Sequence, residues 1–320
     1  MSTDSAPTAA GISGSARRRT ADPDLTDLSA GDFKSILVRA AKRTMADNMT
    51  SVAKGVAYGT FFAIPSALIV ALGVLNLTAG PGSINTLVDK LGGVVPASAQ
   101  DLIRTNLQQV SNSPGGGVMV IVGLVLAVAS LMGAVQTAMW GLNVAYERRE
   151  RRNFIRQRVS AFLITLILTA ALVVMFAVLV LAPYMTGWVG QATGYPGAVS
   201  WLWWTLQWPI LFALLLAAFG GILYLGPDVD HPRLQFITPG AVTAAVLWIV
   251  GSAAFGVYAS RFSSYNKSWG SLSAVIITLT WLWLCSIAIL FAAEINAEVE
   301  RTREILAGTR PSETLTARHK

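Results

Sequence analysis

The sequence predicts an all-α, polytopic membrane protein of about six transmembrane helices, with an N-terminal interfacial amphipathic helix and a helical outer loop. Three observations predict it. Of 320 residues, 53% are hydrophobic and only 13% charged, and a mean hydropathy of +0.55 is too high for a water-soluble core. Charge-free runs occupy residues 55–88, 105–146, 159–227, 234–260 and 268–293, each long enough for one or two spans of about 20 residues. When spans are placed in those runs, 20 of the 24 Lys and Arg residues fall on one side of the membrane.

Taken in order, residues 1–30 are rich in Ser, Thr, Ala, Asp and Gly without apolar periodicity, and read as a disordered tail. The first apolar run begins only at Gly55, so nothing near the N-terminus resembles a cleavable secretory signal. Between Phe33 and Val52, the residues Phe33, Ile36, Leu37, Ala40, Met45, Met49 and Val52 follow helical spacing. Lys34, Arg39, Lys42 and Arg43 give this stretch a basic flank, which predicts a helix lying on the inner leaflet.

Charged or Gly/Pro-rich segments delimit six spans at 55–78, 117–143, 159–182, 201–225, 238–260 and 271–293. In the loop after the first span, Ile84, Leu87, Val88 and Leu91 precede Pro96, and Leu102, Ile103, Leu107 and Val110 follow it. This spacing predicts two short amphipathic helices over the outer mouth. Trp188, Trp201, Trp203, Trp204 and Trp208 suit an outer aromatic belt. The organisation is therefore a tail at 1–30, a six-helix membrane domain at 31–300 and a cytoplasmic C-terminal tail at 301–320.

Only Lys90, Arg104, Arg261 and Lys267 are assigned to the outer face, so the positive-inside rule places both termini in the cytoplasm. The net charge of +7 is thus a topology signal and does not call for a nucleic-acid partner. Its sharpest cluster, Arg148, Arg149, Arg151, Arg152, Arg156 and Arg158, has no RNA-binding module or aromatic platform beside it. It suits anionic headgroups at the inner face.

Little in the chain suggests reaction chemistry. The single Cys285 excludes an intramolecular disulfide and a cysteine zinc cage, and His231 and His319 are too few for a metal site. No P-loop is present, and no cofactor, metal or catalytic centre is expected. Asp228, Asp230 and His231 invite a metal-nuclease reading, but Pro227 and Pro232 bracket them and favour a turn.

The polar and small residues in or beside the spans are better candidates. Pro65 frees a backbone carbonyl inside the first span, with Tyr58 and Thr60 one to two turns away. Gly55 and Gly59 form a small-residue pair, as do Ser252, Gly256 and Ser260, which predicts close helix packing. At the end of the last span Glu294 and Glu298 share one face, Arg301 follows, and Asn296 lies between. Tyr58, Thr60, Pro65, Gly256, Glu294 and Asn296 are the candidate pathway or cavity residues. Tyr265, Asn266 and Lys267 are the candidate outer headgroup contacts. Plain alternatives stand beside each: a packing kink, a helix emerging into water, a polar turn.

Three segments carry a resemblance: GVAYGTFFAIPSALIVALGVL at 55–75, LNVAYERRERRNFIRQRVSAFLITL at 142–166, and the stretch 238–300. The last contains Pro239-Gly240, Phe255 and Tyr258, Tyr265-Asn266, Gly270-Ser271, and Glu294-Ile295-Asn296-Ala297-Glu298. From about Phe33 to Glu300 the chain resembles the YihY/BrkB family of bacterial inner-membrane proteins. It departs at Trp269, where the family often has Tyr, and at Ala292 and Ile295, where it often has Gly and Leu. The resemblance implies a location in the bacterial cytoplasmic membrane. It also implies a fold more firmly than an activity, since the family's old ribonuclease label is regarded as mistaken and transport of an envelope component is suspected for some members.

The reading that follows is a protein that transports or handles a lipid or envelope component, with membrane lipids as partners and a homo-oligomer left open. Its rival is a non-transporting scaffold that organises the envelope; a nuclease is disfavoured. Spans free of charge argue against a proton-coupled pump. The orientation is testable in a variant lacking Cys285. A new cysteine at Lys90 or Lys267 is expected to react with an impermeant thiol reagent outside whole cells, and one at Glu150 or Ser312 to stay unlabelled.

Overall fold

The computed structural model describes residues 30–91, 116–229, 238–262 and 271–306. Seven α-helices and no strand occur among the described residues: α1 (Ala30–Ala46), α2 (Met49–Leu91), α3 (Gly116–Ala145), α4 (Phe154–Thr193), α5 (Pro196–Leu225), α6 (Pro239–Phe262) and α7 (Ser271–Leu306). Six of them, α2 to α7, hold windows long and apolar enough to cross a membrane. The protein is a multi-pass helical membrane protein.

The expected amphipathic helix at 33–52 is divided. Asn48 adopts φ 53°, a left-handed conformation that Asn tolerates, and the chain turns there from α1 into α2. Met49 and Val52 accordingly belong to α2. The apolar face of α1 is divided too: Ile36 and Ala40 are fully buried against Ile295 and Val299 of α7, whereas Leu37, Val38 and Met45 remain exposed.

α2 is one unbroken helix of 43 residues that continues through Pro65 to Leu91. At 1.5 Å per residue it is about 65 Å long, roughly twice the hydrocarbon thickness. Ile84 to Leu91, expected as a separate loop helix, are therefore its final turns. The second expected loop helix lies outside the described residues, as do Asp230, His231, Tyr265, Asn266, Lys267, residues 1–29 and residues 307–320; residues 301–306, expected in the C-terminal tail, belong to α7. α7 likewise runs on past residue 293, so the span-bearing segment is Leu272–Ile305.

Neighbouring spans form a closed ring: α2 packs on α3, α3 on α4, α4 on α5, α5 on α6, α6 on α7, and α7 back on α2. α7 is the hub, because it also meets α1, α3 and α5. Between α2 and α3, a Cβ on Gly59 would stand 3.0 Å from the Ala134 Cβ, so the missing side chain is what lets those backbones approach. The α4–α5 connection is tight: Gly194 at φ 75° closes α4, and Pro196 opens α5. Trp188, Trp201, Trp204 and Trp208 project from the two helices near this turn and are exposed, the placement expected of an aromatic belt.

Among the described residues, the main core lies at one end of the ring. It comprises the start of α2 (Met49, Val52), the end of α3 (Met139, Leu142), the start of α4 (Ala161, Ile164), the end of α5 (Phe219, Leu223), the start of α6 (Ala241, Ala244) and the late part of α7 (Leu290, Ala293). All these helix ends lie on the side that carries α1, called here the terminal end. Toward the other end, side chains such as Phe62, Leu68, Val122, Val257 and Ile276 are exposed. The small-residue stripe of α6 follows the same division. A Cβ on Gly256 would meet nothing within 4 Å, so this residue does not serve the close packing its spacing suggested.

Gly240 is the opposite case. A Cβ there would strike the carbonyl oxygen of Ala292 and lie 2.6 Å from the Asn296 side chain. The carbonyl belongs to the backbone of α7 and cannot rotate away. Gly240→Ala is expected to destabilise the fold by about 1–3 kcal/mol, the usual penalty for overpacking, while Gly256→Ala should leave stability unchanged. Thermal unfolding of the two variants in detergent checks the contrast.

Candidate functional site

The terminal end holds the buried polar chemistry of the protein. Glu294, Asn296, Glu298 and Arg301 of α7 are all buried, with both glutamates at 0% exposure. Helical spacing separates them into two faces, since residues four apart superpose and residues two apart diverge.

The Asn296 side chain joins α7 to α6. Its Oδ1 accepts the Gly240 N–H at 2.8 Å, and its Nδ2 donates to Thr238 Oγ1 at 2.9 Å. The first amides of a helix have no partner within the helix, so Asn296 caps α6 from a neighbouring element. Gly240 is what admits the amide so closely. Tyr146, just after α3, is half-buried nearby; desolvation pushes its phenol well above the usual range, reinforced by Glu300 and opposed by a hydrogen bond to Asn296.

On the other face, the Glu298 carboxylate is held by three guanidiniums. Arg39 Nε lies 2.8 Å from Oε2, while Arg43 Nε and Arg301 Nη1 each lie 2.6 Å from Oε1. Glu147, at the close of α3, extends the network: its Oε1 is 2.7 Å from Arg43 Nη1 and 3.1 Å from Arg301 Nη2. Arg301 also donates to the Ala145 carbonyl at 2.9 Å, satisfying one of the last acceptors of α3. Three elements, α1, the end of α3 and α7, are therefore clamped through one carboxylate.

Glu294 is different. It sits one turn before Glu298, yet neither of its oxygens has a hydrogen-bond partner among the described residues. The helix does not emerge into water at this point, and the acid does not pair with the arginine cluster of the α3–α4 loop.

That loop forms its own network. Asn143 Nδ2 donates to Glu150 at 2.9 Å, Arg152 Nε donates to Glu150 at 2.7 Å, and Arg152 Nη2 donates to the Gly226 carbonyl at 2.8 Å. Asp228 accepts the Arg151 N–H at 2.7 Å and gives its own N–H to Asn143 Oδ1. Asp228 thus ties the α3–α4 loop to the end of α5. No group of three His, Cys, Asp or Glu suited to a metal occurs among the described residues. Arg148, Arg149, Arg151, Arg156 and Arg158 remain exposed around this network.

The other candidate residues lie apart from this cluster. Thr60 donates to the Val56 carbonyl of its own helix at 2.9 Å, Tyr58 is 62% exposed, and Pro65 and Gly256 are exposed farther along α2 and α6. Glu294 and Asn296 share a level of the bundle but not a face. Sequence spacing disclosed the Glu298–Arg301 pair, but it gave no sign that Arg39 and Arg43 of α1 would reach the same carboxylate from more than 250 residues away. Their i,i+4 spacing, in register with the buried Ile36 and Ala40, is the one signal that could have placed them against a partner.

The family described as virulence factor BrkB matches residues 40–315. The chain belongs to the BrkB family. Among its relatives, a UPF0761 membrane protein of Aliivibrio fischeri (strain MJ11) is 30% identical, covering 86% of each chain. A protein of Bacillus subtilis (strain 168) named putative ribonuclease-like protein YfkH is 29% identical over 77% of this chain and 89% of its own. A UPF0761 membrane protein of Vibrio campbellii is also 29% identical, over 80% and 79%. No solved structure matches. For this BrkB-family chain, the matched region contains the last turns of α1 and, of the Glu298 cluster, Arg43, Glu147, Glu298 and Arg301, while Arg39 lies just before it.

A buried ion pair that loses one partner leaves the others uncompensated, at a cost of about 3–5 kcal/mol. Glu298→Gln is therefore expected to lower the unfolding midpoint sharply. Arg39→Ala should cost less, because Arg39 is the most exposed of the three partners at 24%. Denaturation in detergent, followed by tryptophan fluorescence, distinguishes them.

Proposed function

We propose that this BrkB-family protein handles a lipid or lipid-linked envelope component in the bacterial cytoplasmic membrane, with both termini in the cytoplasm. The observation that carries the reading is the one-sided core: in a closed ring of spans, the buried core of the described residues gathers at the terminal end. Such a bundle blocks passage at one face while leaving space between helices toward the opposite leaflet, where amphiphilic molecules reside.

A second feature supports it. Between α6 and α7 lies a recess of about 200 Å³ lined by Leu247, Trp248, Gly251, Trp281, Leu284 and Cys285, almost wholly apolar. Its one polar wall is Ser252, whose hydroxyl accepts the Trp281 indole N–H at 3.2 Å. A hydrocarbon chain is the natural occupant of an apolar recess in a membrane-facing surface.

The scaffold reading draws on the exposed arginines after α3, which can gather anionic headgroups without moving anything. An enzymatic reading has less behind it. Asp228 is engaged in joining two loops, and the ribonuclease-like name belongs to the Bacillus relative.

Native mass spectrometry of gently extracted protein is expected to retain a specific lipid or envelope precursor. Thr60→Trp and Gly256→Trp, which fill the loosely packed part of α2 and α6, should reduce that retention without lowering the unfolding midpoint. Recovery of bulk lipid only, together with vesicles in which nothing is moved, would favour the scaffold.

A further inference from the structure

We infer that Glu294 is a proton-binding site, and that its proton keeps the terminal end of the bundle closed. The inference concerns how the protein is regulated and holds whichever cargo it handles.

The geometry leaves Glu294 few alternatives. Its side chain is sealed from solvent and both oxygens lack a hydrogen-bond donor among the described residues. A carboxylate in that position would carry an unsolvated charge, whereas the neutral acid carries none. The surrounding charges do not rescue it. Neither Arg43 of α1 nor Arg301 of α7 donates a hydrogen bond to it. Both arginines already have closer partners in Glu298 and Glu147. Arg39, Arg43 and Arg301 are thus engaged by Glu147 and Glu298, and Glu294 is a further acid beside a cluster already paired.

The remaining neighbours add no positive charge. Tyr146, after α3, interacts with Glu294 electrostatically as a second acid. The core faces of α2 and α6 at this level are Met49, Val52, Ala241, Ala244 and Ala245, and α5 contributes Leu223; none of these titrates.

Loss of the proton sends it to the cytoplasmic water and leaves a carboxylate that must find a cation. Among the described residues the candidates are Arg43 and Arg301, which bind Glu298 and Glu147. Their attraction toward Glu294 weakens the clamp joining α1 and α3 to α7. The sign follows from linkage: the closed state binds one more proton than the opened state, so closure is favoured at low pH and lost as pH rises through the titration of Glu294. Where that one proton is released, the opening equilibrium should rise about tenfold per pH unit.

The test uses the full chain in lipid nanodiscs. Infrared difference spectra are expected to show a protonated-carboxyl stretch that disappears on raising pH and is missing from Glu294→Gln. Hydrogen exchange, corrected for intrinsic rate, should show α1 and residues 290–306 losing protection over the same pH range. Glu294→Gln should keep them protected throughout, and Glu298→Gln should leave them unprotected at every pH. Glu294→Met, of similar length and without charge, repeats the test should the amide disturb folding. A carboxyl band that persists in both Glu294 variants, or protection that follows pH in them as in the parent, would overturn the inference.

Discussion

Placing the carboxylate of Glu298 out of reach of water is the constraint on which the terminal end depends. A buried carboxylate of this kind persists only where cations and donors converge on it, and here they converge from two elements. Arg39 and Arg43 come from α1, and Arg301 comes from α7 itself. Because Arg43 and Arg301 also hold Glu147, the close of α3 is fixed by the same charges. In a bilayer, apolar faces have little preference between lipid tails and other helices. Directional polar contacts therefore specify which helices meet. The Asn296 amide does this for α6, and the Glu150–Arg152–Asp228 network does it for the loops after α3 and α5.

This division of labour explains the asymmetry of the bundle. Where polar links fix the helix ends, small residues such as Ala241, Ala244, Ala292 and Ala293 are drawn into a dense core. Farther along the same helices the described contacts are mainly apolar, as with the edge-to-face pair Trp248 and Trp281 at 6.3 Å between ring centroids and the approach of Gly123 to Ile69.

Much of the fold was legible because hydrocarbon thickness imposes a length on apolar segments, and charge-free runs reveal that length directly. The basic flank of α1 and the shared face of Glu294 and Glu298 were legible for a similar reason, since helical periodicity is local. The helix limits were not. Gly80-Pro81-Gly82 reads as a break after the first span, yet α2 continues through it, so a local breaker signal did not fix where the helix ends. Gly256 misled because small-residue spacing describes what a helix permits rather than what lies against it. The partners of Glu298 and the isolation of Glu294 were beyond the sequence altogether. Both depend on which side chains from distant segments arrive at one level of the bundle, and that is decided by the ring's closure.

The position of α7 as hub also has a bearing on assembly. It is the last of the described helices to leave the ribosome, yet it supplies the surface on which α1, among the first, buries Ile36 and Ala40. Until α7 is inserted, Arg39 of α1 lacks the Glu298 carboxylate and Arg43 has only Glu147, and α2 lacks one of its neighbours in the ring. Helix pairs such as α4 and α5 can form during synthesis, but the circle can be completed only at its end. A nascent chain stalled before Glu298 would keep its basic N-terminal segment unlatched, giving quality-control proteases a physical way to tell an unfinished molecule from a finished one.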